Sequence, residues 1–276
     1  MNYIELNVKT LAVTPLSEIL IVELGEIGFE SFVENEEGFL AYIQENEFDE
    51  KKIAELQIIK TNPSIFTYTF QIVEDENWNA IWESNYEPVV IKNKCGIRAP
   101  FHPENKDVEY DLIIEPKMSF GTAHHETTSN MIEFLLEEDL KGKSVLDMGC
   151  GTSVLAILAA KRGSSKVFAI DNDEWAYNNS LENILKNNEP EINVILGDAN
   201  SLTNLNFDVI IANINRNILL NDIKFYANSL NDNGILLMSG FYEQDIPAIK
   251  EECGKYNLNF DRYISKNNWV AIRFLK

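Results

Sequence analysis

One stretch constrains the fold of this chain more than any other: residues 143–173, KSVLDMGCGTSVLAILAAKRGSSKVFAIDND. A short apolar run at 144–146 leads to Asp147 and then to two glycines separated by one residue. Helical spacing follows, and a second apolar run at 167–170 stops at Asp171. This order predicts strand, tight turn, helix and strand, with an acid at the tip of the second strand. Glycines at 149 and 151 keep Cβ atoms away from a point where a ligand comes close to the backbone. A carboxylate at the end of the next strand accepts from both hydroxyls of a ribose. The pattern therefore suits a nucleoside, although an ordinary tight turn in a parallel sheet would read the same way.

The kind of nucleoside is narrowed by two positions. A dinucleotide fingerprint, G-x-G-x-x-G, presents a helix N-terminus to a pyrophosphate. Here Val154 stands where the third glycine would be, and Asp147 stands two residues before the first. The resulting D-x-G-x-G resembles the first motif of S-adenosylmethionine-dependent methyltransferases, whose cofactor carries an ammonium, a sulfonium and a carboxylate but no phosphate. An acid beside the loop suits such a cation and repels a pyrophosphate.

Composition limits the partners. The 276 residues are enough for two domains. With 44 acidic and 23 basic side chains the formal charge is −21, which disfavours nucleic acid, where lysine and arginine replace counterions. It favours a basic partner protein, or serves solubility alone. Cys95, Cys150 and Cys253 are scattered without C-x-x-C spacing, so neither a disulfide framework nor a zinc site is expected. The opening MNYIELNVKT lacks the basic and apolar regions of a signal peptide, and no apolar run approaches a membrane span. The expectation is a reduced, cytoplasmic enzyme that touches no membrane.

Residues 1–75 have a pattern of their own. Strand-like alternation at 3–8, helical spacing at 16–24, a hairpin at 29–33 and 39–43, helical spacing at 48–59 and alternation at 65–73 predict a small ferredoxin-like α+β domain. Nothing in it looks catalytic, so it reads as a recognition surface. Residues 76–114 read as a linker with extended segments. The acidic, aromatic stretch 74–87 suggests a connecting helix, with Trp78, Ile81 and Trp82 at packing positions. Residues 115–276 alternate strands (193–196, 209–212, 234–239, 269–274) with helices (173–187, 216–230), which predicts a doubly wound, mostly parallel Rossmann-like α/β sheet.

Other residues flank the glycine loop in sequence. Thr127 or Thr128 suits the cap of a helix beginning near Ser129, whose free amides could receive a carboxylate; capping alone explains the threonines equally well. His124 and His125 are neighbours whose side chains point apart, so no metal site is expected. Asp198 follows the third strand, where it could accept from an adenine amine or simply be a solvated turn acid. Asn213 ends the fourth strand, and its carbonyl could align an amine nucleophile; a strand-end turn is the alternative.

Taken together, FGTAHHETT, VLDMGCGTS, AIDND and ANIN resemble the ribosomal protein L11 methyltransferases over nearly the whole chain. That resemblance implies methyl transfer from S-adenosylmethionine to lysine side-chain and N-terminal amines of ribosomal protein L11; the acidic balance adds the expectation of no direct nucleic-acid binding. By the same match Thr128, Gly149, Asp171 and Asn213 become cofactor contacts, beside Gly151 and Asp198, and Asn213 lies nearest the transferring methyl. Two positions depart from the family's glycines, Ala123 and Ser153; a negative φ at Ser153 would make that change harmless. No P-P-aromatic sequence follows Asn213, which agrees with an aliphatic amine rather than a planar base amine as acceptor.

Overall fold

The computed structural model describes residues 2–10, 15–35, 37–73, 86–117 and 120–276. They fall into two compact units, 1–85 and 86–276. In the first, β1 (Tyr3–Thr10), α1 (Pro15–Glu26), β2 (Ser31–Asn35), β3 (Gly38–Gln44), α2 (Glu50–Glu55), α3 (Gln57–Thr61) and β4 (Phe66–Val73) follow in order. The strands form an antiparallel sheet in the order β2-β3-β1-β4, the ferredoxin-like arrangement expected from the alternation. Ile4, Leu6 and Val8 share one face of the sheet with Phe39, Ala41 and Ile43 and pack with Leu20, Leu24 and Ile53. The stretch 48–59, expected as one helix, is broken at Leu56, which is extended (φ −58°, ψ 136°). The amide of Ile58 then donates to the Glu23 carboxylate at 3.1 Å instead of continuing a helical ladder. Most of the segment read as a connecting helix, 74–85 with Trp78, Ile81 and Trp82, lies outside the described residues.

The second unit begins with a small sheet of β5 (Val89–Ile91), β6 (Cys95–Arg98) and β7 (Tyr110–Ile113). There follow α4 (Glu126–Glu137), β8 (Ser144–Met148), α5 (Val154–Lys161), β9 (Lys166–Asp171), α6 (Glu174–Lys186) and β10 (Asn193–Leu196). The chain continues through β11 (Phe207–Asn213), α7 (Arg216–Ser229), β12 (Leu230–Tyr242), α8 (Ile246–Gly254), β13 (Asn259–Lys266) and β14 (Trp269–Leu275). The sheet order is β10-β9-β8-β11-β12-β14-β13. From β10 to β12 the strands are parallel, and β14 runs antiparallel to both its neighbours.

Both faces of this sheet are covered, because successive strand residues point to opposite sides. Val145, Ile211, Leu237 and Ala271 pack in the core that contains α4 and α5. Their neighbours Leu146, Ile210, Leu236 and Ile272 pack in the core that contains α7 and α8. Strand order reverses at β8, which pairs β9 on one side and β11 on the other. The carboxyl ends of β8 and β11 are therefore adjacent at a topological switch point, where open α/β sheets leave a crevice. Two elements have no counterpart in the sequence reading, α8 and β13. Edge strand β13 is exposed over almost its whole length and lacks a clean apolar alternation. Among the described residues no helix is long and apolar enough to cross a membrane.

Each unit has hydrophobic clusters drawn entirely from its own residues, 4–66 in the first and 91–274 in the second. A fragment beginning at Tyr86 is accordingly expected to fold alone, with α/β circular dichroism and one cooperative thermal transition. A fragment that melts without cooperativity would show that its core is incomplete.

Candidate functional site

The glycine loop after β8 is fixed by contacts from two directions. The amides of Gly149 and Cys150 both donate to Ile170 O, at 2.8 and 3.1 Å, tying the loop to the end of β9. Gly149 and Gly151 have φ of +68° and +53°. A Cβ on Gly149 would lie 2.2 Å from Ile214 Cγ2, and one on Gly151 would lie 2.3 Å from Phe120 O. Glycine is thus required twice over, by backbone angle and by space. Thr152 completes the seam: its amide donates to Phe120 O at 3.0 Å and its hydroxyl to Gly121 O at 2.7 Å. The FGT motif therefore lies directly on the glycine loop, a contact that spans thirty residues of sequence. Gly240 (φ +99°) makes a third close approach, since a Cβ there would sit 2.2 Å from Ile214 O.

These loops surround a cavity of about 830 Å³, within the usual size range for cofactor pockets. Gly149, Gly151, Asp171 and Asn213 line it, as does Thr127. Asp171 accepts from Gly151 N at 2.9 Å through one oxygen and from Asp173 N at 3.0 Å through the other. Each oxygen keeps a lone pair for a further donor. Asp173 caps α6 by accepting from Trp175 N and Ala176 N. Among the described residues the carboxylates on the wall are Asp171 and Asp173, and His125 is the one side chain there that can carry positive charge.

Several expected positions differ. The helix expected near Ser129 starts at Glu126, and its cap is His125, whose Nδ1 accepts from Thr127 N at 3.3 Å. Thr127 and Thr128 therefore stand inside the first turn. Thr128 is buried behind the wall rather than on it, and its hydroxyl oxygen accepts from Asn213 Nδ2 at 3.2 Å. Asn213 Oδ1 is buried and has no hydrogen-bond partner. Asp198 does not line the cavity; it caps a short 3-10 turn and binds the amide and side chain of Asn200. Ser153, harmless to the turn only if its φ were negative, has φ +62°, and Ala123 has φ +65°. Both positions at which the resemblance expects glycine are thus left-handed. Ser153 Oγ bonds to Ser180 Oγ, and Ser129 Oγ donates to Ala123 O at 2.9 Å.

His124 and His125 do point apart: His124 reaches Thr122 and Glu87 O, while His125 turns to Thr127 and packs edge-on against Trp269 at 4.7 Å. Among the described residues no cluster suited to a metal ion occurs. Residues the sequence reading missed include Trp269, Gly240, Trp175 and Ile218, all on the cavity wall. Trp269 opens β14 beside Tyr242 (ring centroids 4.1 Å apart), and Asn130 Nδ2 holds its carbonyl at 3.1 Å. A second cavity of about 480 Å³ shares Asn215, Gly240 and Trp269 with the first and continues past Tyr242, Arg216 and Asp245. A glycine inside the strand MSGFY was the one local signal for Gly240.

Comparison with known proteins gives a consistent picture. The profile of the family described as ribosomal protein L11 methyltransferase matches residues 16–276. A ribosomal protein L11 methyltransferase from Phocaeicola vulgatus is 49% identical over 279 residues, covering 100% of this chain and 99% of that protein. One from Chlorobaculum parvum is 36% identical, covering 98% and 95%. Among solved structures, ribosomal protein L11 methylase from Lactobacillus delbrueckii subsp. bulgaricus superposes with a TM-score of 0.63 at 25% identity, covering 68% of this chain and 98% of that one.

Asp147, read from the sequence as an acid beside a bound cation, lies instead beneath the loop. It is 1% exposed and off the cavity wall. Its Oδ2 accepts from Ala156 N at 3.1 Å, and Oδ1 has no partner. Burial, with a smaller contribution from the Asp171 charge, pushes its pKa from the ordinary 3.8 up to about 8. The folded protein thus holds a proton that the unfolded chain releases between these values. Stability from this group is present at low pH and is lost as pH rises through that window. Urea denaturation at pH 5 and pH 8 should show a loss on the order of a few kcal/mol that Asp147→Asn largely removes; an unchanged slope in the variant would mean that Asp147 is ionised in the fold.

Proposed function

The chain belongs to the ribosomal protein L11 methyltransferase family, and from that premise we propose that it transfers methyl groups from S-adenosylmethionine to lysine side-chain and N-terminal amines of ribosomal protein L11. One observation carries the cofactor assignment: the cavity joins a backbone cradle at Gly149 and Gly151 to a wall whose carboxylates are Asp171 and Asp173, with no lysine or arginine among its described residues. Such a wall suits a sulfonium and an ammonium and offers nothing to a pyrophosphate. Asp171 would hold the ribose hydroxyls, and Thr127 with the first turn of α4 would meet the carboxylate. S-adenosylmethionine, when bound, supplies a methyl group already activated by its sulfonium.

The work left to the protein is alignment and exclusion of water. Asn213 stands at the tip of β11 beside the glycine loop, and Thr128 occupies its amide nitrogen, which leaves the carbonyl oxygen to accept from an amine. An acceptor lysine would enter through the second cavity, between Tyr242, Trp269 and Asn215. Desolvation on entry and the positive charge of the cofactor would lower the pKa of its ammonium, so the amine would arrive neutral after giving its proton to water. The charge of −21 suits a basic protein acceptor. The direct test is transfer of label from the cofactor to purified L11, with free RNA and a lysate as competing acceptors. Label on L11 supports the reading, and label elsewhere alone overturns its substrate.

Asp171→Ala removes an acceptor of charged hydrogen bonds, a loss of roughly 1.5–3 kcal/mol, or about ten- to a hundredfold in affinity. Calorimetry with S-adenosylhomocysteine should report it. Asn213→Ala should instead lower turnover at saturating cofactor more than it lowers that affinity, because its bond to the amine is made in the reaction. An Asn213 variant with poor binding and normal turnover would make it a binding residue only.

The fragment 86–276 keeps every residue of the cavity wall. It should bind S-adenosylhomocysteine like the full chain while methylating L11 poorly, since the ferredoxin-like unit is read as the recognition surface. Equal rates on intact L11 would remove that role.

A further inference from the structure

Three exposed apolar side chains stand on the wall of the larger cavity: Phe120 at 53%, Ile218 at 43% and Trp175 at 81%. Trp175 is the most exposed of the large hydrophobic residues described. An indole left in water forgoes a large burial free energy, and apolar surface gathered around a pocket marks a place that a ligand covers. The backbone beneath the ring is held, because Trp175 N donates to the Asp173 cap at 2.7 Å in the first turn of α6. The side chain is thus presented from a fixed base with its faces open.

The cavity has two distinguishable ends. Asn215, Gly240 and Trp269 belong to both cavities and form the acceptor end. Asp171, Asn172, Asp173, Trp175 and Ala176 line only the larger one and form the other end. A nucleoside whose ribose is held by Asp171 has its base at that second end, beside Trp175. Asp198, which might have read the base edge, has both carboxylate oxygens engaged by Asn200 and is off the wall.

We propose that Trp175 is a cofactor-binding residue whose indole stacks on the purine ring of the cosubstrate. The proposal rests on the S-adenosylmethionine reading of this cavity. Recognition of the base then falls to a π face and not to the Asp198 carboxylate, and ligand binding covers the exposed ring. Aromatic stacking on a base is sequence-tolerant and is lost on truncation of the ring.

The test is titration of S-adenosylhomocysteine into the full chain and into Trp175→Phe and Trp175→Ala, followed by calorimetry and intrinsic fluorescence. Because the side chain is exposed, both variants should melt with the parent protein. Tryptophan emission of the parent should change on binding, and that change should shrink in both variants. Trp175→Ala should bind about tenfold or more weakly, while Trp175→Phe, which keeps a π face, should recover most of the affinity. Equal affinity in Trp175→Ala and the parent overturns the stacking role and leaves the cofactor reading intact. So does normal affinity combined with a raised KM for the protein acceptor, which would make Trp175 an acceptor contact. A parent chain that does not bind S-adenosylhomocysteine overturns the cofactor reading and the stacking role together.

Discussion

The site depends on close backbone contact at the carboxyl ends of β8, β11 and β12. Gly151 lies under the carbonyl of Phe120, Gly149 under Ile214, and Gly240 against the Ile214 backbone, each at a separation that excludes a Cβ. These approaches place the FGT loop and the Ile214 segment at the cavity wall. The FGT loop can be sewn onto the glycine loop by Thr152 only because Gly151 lets the Phe120 carbonyl come in. The Ile214 segment, which carries Asn213 and Asn215 on either side, can cross the sheet ends only because Gly149 and Gly240 flank it. An added methyl at Gly151 or Gly240 would meet backbone and push one loop off another, and one at Gly149 would meet the Ile214 side chain.

Helix α4 turns this packing into chemistry. Its first turn carries four consecutive polar residues, Thr127, Thr128, Ser129 and Asn130, all buried. Thr127 is on the wall, Thr128 holds the Asn213 amide, Ser129 holds the Ala123 carbonyl and Asn130 holds the Trp269 carbonyl. A run of polar residues at a helix start usually signals capping, and here the cap is His125. The four polar groups are spent instead on the segments around the cavity. Buried polar groups need partners, so each bond also fixes the segment that supplies it.

Electrostatics divides the carboxylates by depth. Asp171 and Asp173 are bonded to backbone amides and face the cavity, where they present negative charge. Asp147, at the end of the neighbouring strand β8, lies inside the fold, where burial favours its protonated form. One supplies the acidic wall and the other supports the helix that follows the loop. Asp198 is exposed and caps a turn, away from the cavity wall.

The amino-acid sequence by itself determined the alternation of strands and helices, the ferredoxin-like order of the first unit and the strand–turn–helix–strand around Gly149 and Gly151. These are local: apolar period, glycine spacing and an acid at a strand tip are all written within thirty or so residues. Asp171 and Asn213 were legible for the same reason, since strand ends can be read from the runs that precede them. Tertiary structure alone decided which carboxylates face the cavity, that Thr128 stands behind Asn213, and that Trp269, Gly240 and Trp175 complete the wall. It also decided that Ala123 and Ser153 take left-handed angles, because the loops they occupy are shaped by partners distant in sequence. Those outcomes follow from the parallel pairing of β8 with β11 at the switch point, which brings together side chains that no local pattern relates.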